Sequence, residues 1–161
     1  MTRDLSKLKA CLGRRVMSRL PYATLLIAAL LVSGPAGAGI YVTDGDTIIV
    51  DREHIRVVGI DAPETRGSRC DDELRRGLEA KARVIELLTA ACGPLPAASA
   101  SCITMQRQPK LDRYGRTLAR ILVDGRDLGE RLIGEGLVRP YICPKGRCAA
   151  RKPWCMSGDR P

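Results

Sequence analysis

Residues 40–60 read IYVTDGDTIIVDREHIRVVGI, and the character of this run sets the architecture around it. β-Branched side chains dominate, and these pack well on a pleated surface while losing little rotamer freedom there. The pattern predicts two strands, IYVTDGDTIIV and HIRVVGI, paired antiparallel across the short polar turn DRE. Charge breaks the apolar pattern in specific places: Asp44 and Asp46 flank Gly45, Arg56 opens an apolar strand and Asp61 closes it.

Downstream, DDELRRGLEAKARVIELLTAAC places Leu74, Leu78, Ala82, Ile85 and Leu88 at helical spacing and predicts one inward face. Asp71 or Asp72 can cap its start, and Gly93 with Pro94 ends it. PLPAASAS is a loop by composition, CITMQ and TLARILV read as strands, and Asp124-Gly125 closes the second. DLGERLIGEGLV then predicts a short helix with Leu128, Leu132 and Ile133 facing inward. This order of strands, helix, strands, helix and a cysteine-rich tail predicts an α+β, mainly β fold, a small barrel closed by helices. With no Phe and one Trp the core must be aliphatic and modest, and disulfides supply what it lacks.

At 161 residues the chain is long enough for one domain. Its front is something else. Arg14, Arg15 and Arg19 precede the apolar run Tyr22 to Val32, and small residues at Ala36 and Ala38 follow, the layout of a secretory leader ending at residue 38. Eleven apolar residues fall short of the ~20 that span a bilayer, so no stable membrane anchor is expected. Met17 would begin a leader of more ordinary length, which makes it the alternative start. Removing residues 1–38 leaves 21 basic residues against 17 acidic ones, a net charge of +4 for residues 39–161. A moderately basic domain suits a polyanionic partner, and equally serves solubility. Cys11 falls in the leader; the six remaining cysteines read as three disulfides of an exported protein, periplasmic or secreted. No cysteine pair has the short spacing of a zinc site, and the one histidine, His54, is far from them in sequence and reads as a strand-surface residue. Among the 15 possible pairings, Cys92 with Cys102 across the loop, and the tail tied back to Cys70, are expected.

The chemistry-bearing residues gather around the opening strands. Hairpin pairing can bring Asp46 and Asp61 together, and carboxylates held close call for a hard cation between them. Taken by itself, Asp-Gly-Asp reads first as a polar turn. Arg56 and Arg116, the latter in LDRYGR, carry guanidinium forks that match phosphate oxygens two at a time; singly, each also reads as a solvated surface arginine. Glu64 follows Pro63, which fixes the backbone beyond Asp61 and holds a carboxylate where a general base would stand; alternatively it reads as a turn-stabilising acid.

DGDT, RVVGIDAPET and DRYGR, in this order and at roughly this spacing, closely resemble the staphylococcal nuclease (thermonuclease) family, from about Val42 to Trp154. The resemblance implies a five-stranded barrel of the oligonucleotide-binding (OB) kind with packed helices, and calcium-dependent hydrolysis of DNA and RNA, single strands foremost, to 3′-phosphate products. It implies Asp46 and Asp61 as calcium ligands with the Ala62 carbonyl as a third, Glu64 as the base acting on water, and Arg56 and Arg116 as phosphate clamps. Tyr114 would hydrogen-bond the substrate phosphate or stack on a nucleotide, or merely brace its turn. Of the family's other substrate-side tyrosines, Tyr141 is the one represented. The tail, ending KPWCMSGDRP, is short, with cysteines in place of a long helix and Trp154 as a lid on the core. A monomer is expected.

A non-catalytic OB-fold nucleic-acid-binding module is the alternative. It has no use for Asp46, Asp61 and Glu64 beside a polyanion, where they would repel it. A structural envelope protein would need no paired arginines.

Overall fold

The computed structural model describes residues 39–144 and 147–155, all within one unit of the chain that begins at Pro35. The expected leader lies outside them. Where the sequence pattern predicts one strand, residues 40–50 form a hairpin of β1 (Ile40–Asp44) and β2 (Thr47–Val50), with Asp44 opposite Thr47. Gly45 makes that turn possible because it packs on the first helix: a Cβ there would lie 2.8 Å from the Ala80 Cβ and 3.0 Å from the Ala62 Cβ. No other residue leaves that gap. Asp51 and Arg52, at φ 49° and 72°, turn β2 into β3 (Glu53–Val57), a two-residue connection whose left-handed backbone matches the strand twist.

β3 then pairs in parallel with β6 (Thr117–Val123), which pairs antiparallel with β5 (Ile103–Leu111), so the main sheet runs β1-β2-β3-β6-β5 and curls into a half-barrel. A two-residue strand, β7 (Arg126–Asp127), hangs on β6. The chain after β3 leaves this sheet. β4 (Gly59–Asp61) pairs instead with β8 (Arg139–Tyr141), placing Asp61 opposite Arg139. The core inside the curl is aliphatic, led by Ile48, Ile55, Ile60, Leu88, Ile121, Leu128 and Leu132, all essentially inaccessible. This mainly β, α+β architecture with two helices is the OB-type fold expected.

Helix α1 (Asp71–Cys92) buries Glu73, Gly77, Ala80, Val84, Leu87 and Leu88. Of the expected face only Leu88 lies in the core; Leu78 is 51% and Ile85 38% exposed, and Ala82 also faces out. The physical reason is size. The helix lies so close to the turn at Gly45 and to Pro63–Glu64 that its contact face needs Gly and Ala, and the bulky residues are displaced to the open side. Its cap also differs: Cys70, not Asp71 or Asp72, holds the N-cap, and Glu73 Oε2 turns back to accept from the Arg69 amide at 2.7 Å. Gly93, at φ 75°, ends it as expected.

Helix α2 (Leu128–Gly134) is capped by Asp127, which accepts from the Glu130 amide at 2.7 Å, and buries Leu128 and Leu132 with Ile133 half-buried. Cys92 bonds Cys102, Cys70 bonds Cys155 and Cys143 bonds Cys148. Trp154 is buried, with the Arg139 guanidinium 3.6 Å from its ring centroid. Among the described residues no helix is long and apolar enough to cross a membrane.

Candidate functional site

Alternation along β3 puts His54 and Arg56 on one side of the strand, and the β2–β3 register sets Arg56 opposite Thr47, next to Asp46. Asp46 is therefore buried beside a buried guanidinium, and the two form an ion pair. Its other contacts fix it completely: Oδ1 accepts from the Thr47 hydroxyl at 3.0 Å, and Oδ2 accepts from the Ala62 amide at 2.9 Å. Arg56 also donates from Nη2 to the Ile60 carbonyl at 3.2 Å and stands 3.9 Å from Asp61 Oδ1. One arginine thus bridges the two aspartates.

Asp61 is the less satisfied of the pair. It is 4% exposed, and its Oδ1 has no hydrogen-bond partner although Arg56 and Arg151 flank it. Burial pushes its carboxyl above the usual aspartate range; Asp46 adds to this, and Arg151 and Arg56 oppose it. Glu64, half-exposed on the rim, is raised by burial and then by the charges of Asp46 and Asp44, against Arg151 and Arg56. Its backbone is set by contact with α1. A Cβ on Gly77 would come within 2.9 Å of the Glu64 and Pro63 carbonyl oxygens, so a glycine in mid-helix is what lets residues 63–64 settle there.

Asp46, Arg56 and Glu64 line one open depression together with Arg116 and Tyr114. Asp112, which lines the neighbouring depression, holds this edge in place: its Oδ1 accepts from the Tyr114 and Arg116 amides at 2.8 and 2.9 Å, and its Oδ2 accepts from Arg116 Nε at 2.7 Å. Arg116 is thereby aimed, and Tyr114, 67% exposed, has Arg113 and Arg116 at 4.8 and 5.3 Å from its ring centroid. Five arginines (56, 69, 113, 116 and 151) line the depression, an electropositive surround for an acidic floor. Tyr141 lines only the neighbouring depression, where its hydroxyl donates to the Ala149 carbonyl at 2.9 Å.

The profile of the family described as Staphylococcal nuclease homologue matches residues 54–152. The chain belongs to that family. Thermonuclease of Staphylococcus hyicus is 33% identical over 113 residues, which cover 62% of this chain and 56% of that protein. Thermonuclease of Staphylococcus intermedius is 29% identical over 116 residues, covering 64% and 58%. The chain thus spans less than two thirds of the length of either relative.

In this staphylococcal nuclease homologue, no group of three Asp, Glu, His or Cys side chains among the described residues is drawn together as a ready-made ion cage. The donor set still fits a hard cation. Asp61 offers a buried oxygen with no hydrogen bond, Asp46 is adjacent through Arg56, and burial together with like charge acts against the ionised forms of Asp61 and Glu64. An ion held by two carboxylates completes its shell with carbonyls, water and substrate phosphate. Sequence reading missed three contributors: Arg151, Asp112 and the contact-face Gly77. Asp112 had a signal, an aspartate opening the turn DRYGR. His54, read as a strand-surface residue, is exposed and also lines the depression.

Proposed function

We propose that this chain is an exported, calcium-dependent nuclease that hydrolyses phosphodiester bonds in DNA and RNA, leaving 3′-phosphate and free 5′-hydroxyl ends. The observation that carries the reading is three acids set among arginines, Asp46 and Glu64 lining one depression and Asp61 buried beside it against Arg56 and Arg151, an arrangement that a pure nucleic-acid binder would gain nothing from. Family membership and the named thermonuclease relatives support it, and the three disulfides suit an oxidising compartment.

The chemistry follows from the residues. A phosphodiester is already anionic, and attack by water adds charge at phosphorus. Arg116, steadied by Asp112, and the exposed edge of Arg56 receive that charge. Asp46 and Asp61, with the Ala62 carbonyl, would hold calcium, which when bound supplies a Lewis acid for a phosphoryl oxygen. Glu64 takes the proton of the water as its oxygen bonds to phosphorus in line with the departing 5′ oxygen, which takes up a proton from solvent water as its bond to phosphorus breaks. Because Glu64 is held above its usual range, it remains a better base than a free surface glutamate. Tyr114 gives the substrate a stacking or hydrogen-bonding face, and the ring of Tyr141 borders the path beyond.

The test is cleavage of single-stranded DNA and RNA by the oxidised protein, with calcium and then with chelator. Calcium-dependent cutting to 3′-phosphate ends is expected; tight strand binding without cutting would instead make this a binding module.

A further inference from the structure

The tail carries an arginine that the family motifs do not include. Arg151 Nε lies 3.2 Å from Asp61 Oδ1, and its Nη1 lies 3.5 Å from Glu64 Oε1. It reaches the two carboxylates from the open side, opposite buried Arg56. This position is built. On one side of it the Ala149 carbonyl accepts from the Tyr141 hydroxyl, and on the other the Lys152 and Pro153 carbonyls accept from Arg139 at 3.4 and 3.0 Å. Trp154 is buried under Arg139, and Cys155 is bonded to Cys70 at the start of α1. Five successive anchors for seven residues fix the backbone, while the Arg151 side chain is 41% exposed, its guanidinium carbon 5.5 Å from the Tyr141 ring centroid. It borders both depressions, the acidic one and the one beside Tyr141.

We propose that Arg151 is a tethered counter-cation of the acid cluster: an incoming divalent ion displaces its guanidinium from Asp61 and Glu64, and a nucleic-acid phosphate then receives it. This rests on the cation-site reading above. A guanidinium and a divalent ion cannot share the same carboxylate oxygens, so without substrate the ion must break two ion pairs to enter. Once displaced, the guanidinium needs an anion within side-chain reach of its fixed backbone, and a phosphate in the depression supplies one with matching fork geometry. Cation and strand therefore bind with positive coupling, and by linkage each must tighten the other equally. The chain would load its ion chiefly in the presence of substrate.

The test titrates calcium by calorimetry into the oxidised full chain and its Arg151→Ala, Arg151→Gln and Lys152→Ala variants, each with and without a phosphorothioate hexathymidylate. Without oligonucleotide, Arg151→Ala and Arg151→Gln are expected to bind calcium about threefold to tenfold more tightly than wild type, the size of two half-exposed ion pairs removed. Lys152→Ala, which loses one exposed charge on the same tail, should leave the isotherm unchanged. The oligonucleotide should tighten calcium binding in wild type more than in either Arg151 variant. Superimposable isotherms for wild type and the Arg151 variants, or an equal shift in Lys152→Ala, overturn the proposal, as does absence of calcium uptake by all four proteins. Cleavage is scored separately. A chain that shows the coupling but does not cut keeps this inference and loses the nuclease reading, and a chain that cuts with unshifted isotherms does the reverse.

Discussion

Asp61, buried against Arg56 and Arg151, and Asp112, paired with Arg116, both sit against arginines that line the depression, and their environments are opposite. Asp112 is opposed by partial burial, yet the Arg116 amide, the Arg116 guanidinium and the Tyr114 amide outweigh it and hold its carboxyl below the usual range. Asp61 is more deeply buried, has an oxygen without a hydrogen bond, and is held above that range. The first aspartate is structural, using all its acceptors to fix a turn. The second is left under-compensated in a chain that elsewhere pairs its acids well, as in Glu53 with Arg107 and Thr117. An incompletely neutralised buried charge is costly to the fold, so its presence beside the arginines and Glu64 that line a depression marks a place that something else completes.

That contrast can be broken at four points. The largest effect belongs to Glu64→Gln, which keeps the shape of the rim and removes the base: turnover should fall at least ~100-fold, with strand binding and thermal midpoint retained. Unchanged turnover would remove Glu64 from the chemistry. Next is Arg116→Lys, which keeps the charge and loses the fork that Asp112 aims; severe impairment, about 10- to 100-fold in kcat/KM, is expected. Near-normal rates there would mean that Asp112 merely folds its turn. Gly77→Ala should cost about tenfold in turnover by pushing the Glu64 backbone off the helix, despite alanine's better helix propensity; a rise in stability with full activity would show that the contact has slack.

The smallest effect is a pH slope measured in chelator. Asp61 and Glu64 keep their protons to higher pH folded than unfolded, so the folded chain binds more protons and loses stability as pH rises through and above the ordinary carboxylate range. Asp112 and Glu53, held below that range, give stability that is present at neutral pH and lost on acidification. Asp61→Asn removes the Asp61 share of the first slope and leaves the second untouched. Its urea midpoint should gain on wild type as pH rises through and above the ordinary aspartate range, and a difference independent of pH would erase the distinction between the two aspartates.

Much of this was legible in residues 40–61 because local rules and tertiary demands coincide there. β-Branched runs make strands, and a strand period of two puts Arg56 beside Asp46 once the register is known. The Asp-Gly-Asp turn was read as a candidate site and alternatively as a turn, and it is a turn whose two aspartates line the depression. The face of α1 was not legible: counting large apolar residues finds Leu74, Leu78, Ala82 and Ile85, whereas close approach to Gly45 and Pro63–Glu64 selects Gly77 and Ala80. Periodicity senses hydrophobicity and is blind to the distance between backbones. Arg151 was invisible for another reason, since its place depends on backbone carbonyls and a disulfide far along the chain from the strand it serves, a separation on the scale of the 85 residues between Cys70 and Cys155.

The Cys70–Cys155 bridge closes a ring that contains both helices and every strand after β4, and the Cys92–Cys102 bridge closes a smaller ring within it. The exposed segment around Pro96, Ala97, Ser99 and Ser101 lies inside both. A protease that severs this segment therefore cannot separate the halves: the nicked chain stays one covalent molecule, migrating as a single band until it is reduced and as two afterwards. Topology alone would let such a protein outlast a cut in a protease-rich setting.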